Sequence, residues 1–131
     1  MYVGLSTRSN PHAIEQLNKL LGNYGYQTYG VDLTDCLHLK TAVTRVDDKT
    51  LLINKNWVDE SHFTNFELIE VDASEPFGAN CLPVRGSIIY AYAFPKTQEK
   101  LEQKGFKIKN VHLDELAKAE GAVTCCSLII E

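Results

Sequence analysis

Nothing in this 131-residue chain favours a polyanion. Thirteen Lys and Arg face seventeen Asp and Glu, for a net charge of −4. The charges are interspersed rather than blocked, so neither nucleic acid nor an anionic membrane is an expected partner. No apolar run approaches the ~20 residues needed to cross a bilayer, and Met1–Ser6 is too short and uncharged for a secretory signal. The four cysteines (Cys36, Cys81, Cys125, Cys126) include no CxxC pair, which removes the usual spacing of a structural zinc site. Two are adjacent, and without an export signal all four read as reduced thiols of a cytoplasmic protein. A 44% hydrophobic and 23% charged composition excludes a disordered chain and suits one globular domain over residues 1–131.

What is present alternates strand and helix signals. Residues 2–6 read as a short apolar strand. Asn10-Pro11 opens a helix, Asn as N-cap and Pro in the first turn, with Ile14, Leu17 and Leu21 as its stripe and Gly22 to end it. Tyr24–Leu33 reads as a strand, and Thr41–Val46 with Thr50–Asn54 as a hairpin across Asp47-Asp48-Lys49. A short helix over Trp57–Phe63 precedes a strand at Phe66–Val71. The link Glu75–Gly86 holds a short strand, followed by a strand at Ser87–Phe94. A helix over Pro95–Lys104 is closed by Gly105, with a strand at Phe106–Leu113 and a helical turn at Asp114–Ala119. The uncharged, β-branched run Val123–Ile130 predicts a final strand buried on both faces, its two cysteines aiming their sulfurs in opposite directions.

A period of 40 residues runs through this order. Tyr26, Phe66 and Phe106 keep it, as do Val31, Val71 and Val111, and Gly25-Tyr26 and Gly105-Phe106 share the glycine behind a helix. The repeat predicts an α/β fold of ββαβ units used about three times and packed around an axis. Corresponding segments, Cys36–Lys40, Ala79–Pro83 and Thr124–Ser127, would then meet at the centre. That meeting brings His38 and Cys125 together, a thiol beside an imidazole as cysteine nucleophiles require. Alone, Cys125 reads more readily as inert filling than as a nucleophile, Cys126 as core, and Asn80 as a partner for loop backbone.

The segments Gly4-Leu5-Ser6-Thr7-Arg8-Ser9-Asn10, Leu37-His38-Leu39-Lys40, Ala79-Asn80-Cys81 and Gly121-Ala122-Val123-Thr124-Cys125-Cys126-Ser127 together resemble the C-terminal half of the dimethylarginine dimethylaminohydrolases. These belong to the guanidino-modifying superfamily of arginine deiminases and amidinotransferases. The resemblance implies about half of a five-bladed α/β propeller (pentein-like). It implies Cys125 as nucleophile, His38 as general acid/base, Arg8 as the holder of a substrate α-carboxylate and Glu120 beside the substrate's amino group. It implies hydrolysis of dimethylarginine or an arginine-like guanidine to citrulline, with no metal or cofactor. The family's N-terminal half supplies the acids that grip the guanidinium, and a Gly-Gly-Asp type segment brings a third catalytic residue. With neither here, the chain is expected to be a fragment or truncated product, or a subunit completed as a homo-oligomer or by a missing N-terminal half.

Two other readings stand beside this one. The chain reads also as a non-catalytic, self-associating or small-ligand-binding module derived from the enzyme. Alternatively Cys125 and His38 hold adventitious zinc, which would inhibit.

Overall fold

The computed structural model describes residues 1–130; Glu131 lies outside them. Among the described residues eight strands and four α-helices follow one another, and the strands fall into three sheets. β1 (Tyr2–Leu5) runs into α1 (Pro11–Leu21) and returns as β2 (Tyr29–Asp32), parallel to β1 in the register Tyr2↔Tyr29 to Leu5↔Asp32. The single turn α2 (Leu39–Ala42) leads into the hairpin of β3 (Val43–Arg45) and β4 (Thr50–Ile53), and β5 (Glu67–Glu70) pairs parallel to β4. The third sheet repeats the second: β6 (Cys81–Val84) is antiparallel to β7 (Ser87–Ala91), and α3 (Pro95–Gln103) carries the chain to β8 (Ile108–Val111), parallel to β7. A last turn, α4 (Asp114–Ala117), follows.

The expected repeat is thus present as sheet topology. Its chemistry recurs as well: Gly25 and Gly105 take φ of 78° and 88°, left-handed values that favour glycine. Behind each, the next amide bonds a carbonyl five residues back, Tyr26 N–H to Leu21 O (3.3 Å) and Phe106 N–H to Leu101 O (3.2 Å). Both are helix ends of the same kind. Gly22 is the C-cap of α1, as expected, and opens a 3₁₀ turn over Gly22–Tyr24 that Gly25 closes. Asn10 caps α1 as expected, its side chain accepting from Ala13 N–H at 3.1 Å. The hairpin turn is closed by Asp47, whose carboxylate accepts from Lys49 N–H at 2.8 Å.

β4 joins the interior. All four of its residues are buried, and because side chains alternate along a strand, Leu52 enters one apolar cluster while Leu51 and Ile53 enter the other. One cluster holds Ile69, Cys81, Tyr90 and Leu101; the other holds Val31, Val43, Trp57 and Phe63.

One expectation fails. Val123–Ile130 is not a strand: residues 123–126 form a turn, with Cys126 N–H bonded to Ala122 O (3.1 Å), and the following residues are irregular. Leu128 and Ile130 are 85% and 80% exposed. β-branched composition makes a strand only where a neighbour supplies the ladder, and among the described residues this segment pairs with none.

Candidate functional site

The carboxyl ends of the parallel strands converge on a cavity of about 510 Å³, the end at which open α/β sheets place their ligands. Residues after β2 (Asp35, Cys36, His38), after β5 (Phe77, Asn80), after β7 (Ala93, Phe94) and after β8 (Leu113, Asp114, Glu120 to Val123) line it. Among the described residues three acidic residues (Asp35, Asp114 and Glu120) line it, and no Lys or Arg does. An apolar lining with acidic residues and no basic ones favours an organic cation over an anion.

His38 sits at the N-terminus of α2 with extended backbone, its carbonyl accepting from Thr41 N–H at 2.9 Å. Its side chain does not cap the helix, and the residue lines the cavity. Glu120, at the end of the passage from α4, has a φ of 59°, a strained value for a residue with a side chain. It lines the same cavity as His38.

Asn80 holds the centre. Buried, it donates to Lys40 O (2.8 Å) and to Thr124 Oγ1 (2.9 Å), and accepts from Thr124 N–H at 3.1 Å. One side chain therefore ties the His38 segment to the Cys125 segment across 40 and 44 residues of sequence. The three equivalent segments do meet, and Asn80 bonds loop backbone as expected.

Cys125 stands beside this clasp, next to Thr124. Its Sγ accepts from Ala122 N–H at 3.0 Å and donates to Ala122 O at 3.4 Å. The sulfur is exposed rather than at the lip of a buried strand. Cys126, expected as core, is exposed too, and its Sγ lies 3.9 Å from that of Cys125. Because the segment turns instead of running extended, the two side chains share one side. Partial desolvation, then the neighbouring sulfur, push the Cys126 thiol up. Gly121 allows this turn: a Cβ there would lie 2.8 Å from Leu116 O and 3.0 Å from Cys126 Sγ.

Arg8 is exposed in the tight turn between β1 and α1, where Ser6 and Ser9 bridge. It is at the carboxyl end of β1 but does not line the cavity, and it makes no ion pair among the described residues. His12, His62 and His112 are at the surface. Sequence reasoning missed Asp35 and Asp114 as cavity carboxylates; the signal lay in their position just beyond strands β2 and β8.

No protein-family model matches the chain. It is 32% identical over 127 residues to the N(G),N(G)-dimethylarginine dimethylaminohydrolase of Pseudomonas aeruginosa, covering 97% of this chain and 50% of that protein. A solved structure of that enzyme, a cysteine-to-serine variant complexed with citrulline, superposes with a TM-score of 0.85 at 31% identity, covering 94% of this chain and 48% of the other. The chain is similar over nearly its whole length to about half of a dimethylarginine dimethylaminohydrolase. Its fold is accordingly about half of a pentein propeller, and the chain spans about half the length of the curated relatives it matches. A second structure of this kind, a histidine-to-glycine variant holding an adduct with S-methyl-L-thiocitrulline, has a TM-score of 0.86 at 31% identity over 95% of this chain and 49% of that one.

Proposed function

We propose that this chain is the C-terminal half of a guanidino hydrolase, in which Cys125 attacks a guanidinium carbon and His38 moves the protons. The observation that carries the reading is the Asn80 clasp: it ties the turn bearing Cys125 to the segment bearing His38, beside a cavity rimmed by carboxylates. A free thiol with a pKa of about 8.5 is mostly protonated at neutral pH and becomes a better nucleophile next to a cation. A bound guanidinium is that cation. The thiolate adds to its carbon to give a tetrahedral adduct. Imidazolium at His38 protonates the departing amine as the C–N bond breaks, leaving a covalent S-alkylthiouronium. The same imidazole takes a proton from water, which adds to the carbon; the C–S bond breaks, citrulline leaves and the thiolate is restored.

Arg8, exposed at the same end of the parallel strands as the cavity residues, would hold the substrate's α-carboxylate, and Glu120 at the wall would face its amino group. Dimethylarginine or an arginine-like guanidine is the substrate, and a reducing cytoplasm keeps the thiols competent. The propeller is completed by a second copy or by an N-terminal half. The uncovered apolar residues Leu20, Tyr24, Leu128 and Ile130 support such association. Among the described residues no helix is long and apolar enough to cross a membrane.

The test is citrulline release from dimethylarginine by the 131-residue chain, alone and with a separately expressed N-terminal half of a family member. Cys125→Ser abolishes release, and Arg8→Ala raises KM at least tenfold with kcat little changed. Turnover that survives Cys125→Ser contradicts the proposal.

A further inference from the structure

We infer that Cys125 and Cys126 form a dithiol site for monosubstituted trivalent arsenicals, which closes over the sulfur of the proposed nucleophile. Both thiols are exposed, free and on the same side of one turn, with their sulfurs 3.9 Å apart. That spacing decides between two fates of a thiol pair. A direct disulfide needs sulfurs about 2.05 Å apart and Cα atoms usually ~4.4–6.8 Å apart. Consecutive Cα atoms are held at about 3.8 Å by a trans peptide, so the bond would be strained and readily reduced.

A single bridging atom suits the pair better. Two bonds of ~2.3 Å, the length of a thiolate bond to a borderline-soft centre, span at most about 4.6 Å between their sulfurs, so one atom can bridge the pair with only a small closing rotation of the exposed side chains. The coordination number then selects the bridging atom. A structural zinc ion takes four protein ligands, and among the described residues no group of three or more His, Cys, Asp or Glu is placed to hold a metal. An arsenic(III) centre that already carries one carbon substituent needs two sulfurs and nothing more. With phenylarsine oxide, two As–S bonds form, the arsenic–oxygen bond breaks, and the oxygen leaves as water with both thiol protons. Arsenic stays trivalent.

The capture depends on geometry alone. Its consequence, loss of the attacking sulfur, rests on the role proposed for Cys125. The experiment therefore reads mass, not turnover. Folded chain is treated with phenylarsine oxide, challenged with excess monothiol, and then with 2,3-dimercaptopropanol. We expect one phenylarsenic group per chain, retained against monothiol and removed by dithiol, with two fewer thiols open to N-ethylmaleimide. Cys126→Ser and Cys125→Ser each lose the monothiol-resistant adduct, whereas Cys36→Ser keeps it. Circular dichroism confirms that each variant is folded, as expected for the exposed Cys125 and Cys126 and checked independently for the partly buried Cys36. A resistant adduct that survives in Cys126→Ser, or that disappears in Cys36→Ser, overturns the assignment.

Discussion

The first and third units contain the same β–α–β passage and end very differently. α3 buries Thr97 and Leu101 completely, against Tyr90 and the rest of its cluster. α1 is longer, carries a better apolar stripe and buries no residue fully; Ile14, Leu17 and Leu21 stay half-exposed. The difference lies in what each sheet has beside it. β7 is flanked by β6 and β8, whereas β1 pairs only with β2 among the described residues. Helix propensity and capping are local, but burial needs a completed blade and a neighbour. The unit beyond the third teaches the same lesson. Cys81 is buried where β6 meets the second unit, with Thr44 Oγ1 3.1 Å from its sulfur. Its counterpart Cys126, in a segment with no strand partner, is exposed.

The comparison can be broken most sharply by truncating the two helices. Leu101→Ala should cost about 2–5 kcal/mol, the usual range for emptying a core site. Leu17→Ala should cost less by urea denaturation, because its side chain is only partly buried. Equal costs would mean that the first unit is as well buried as the third.

Alkali separates the two cysteines next. Burial pushes the Cys81 thiol up to about 11, while the unfolded thiol titrates near 8.5. The unfolded chain therefore loses this proton first. The stability that Cys81 contributes is fully present below the unfolded pKa and is lost as pH rises through about 11, a loss of ~2–3 kcal/mol. Cys81→Ala should flatten that alkaline fall, read as Tm against pH, and Cys126→Ala should leave it unchanged.

Glu75 sharpens the contrast at the helix starts. Phe94 gives α3 no side-chain cap; instead the buried Glu75 carboxylate accepts from Lys96 N–H (3.0 Å) and Thr97 N–H (2.8 Å). It therefore sits at the positive end of the helix dipole. Glu75→Ala should destabilise by about 1–3 kcal/mol, with amide exchange in the first turn of α3 speeding up most. The smallest effect is expected at Asn10→Ala, about 1 kcal/mol for a local cap on an exposed helix.

Much of the fold was legible because its signals are local. The aromatic and valine period, the Asn10-Pro11 start and the glycines behind α1 and α3 each act within a few residues. The Glu75 cap and the Asn80 clasp were not, since their partners lie 21 and 44 residues away. The final strand was misread for the same reason: Val123–Ile130 carries strand composition, and composition does not supply a partner. At the site, residue types pointed to Cys125, His38, Arg8 and Glu120. The structure places His38 and Glu120 on the cavity lining, Cys125 in the turn that Asn80 ties to the His38 segment but outside that lining, and Arg8 in an outer turn.

The central claim is that His38 and Cys125 act on one bound guanidine. The most direct measurement is the intact mass and peptide map of His38→Gly after incubation with S-methyl-L-thiocitrulline. The account predicts a covalent adduct on the peptide carrying Cys125, absent from the double variant His38→Gly/Cys125→Ser. An adduct that persists in the double variant, or that maps to Cys36 or Cys126, would contradict it.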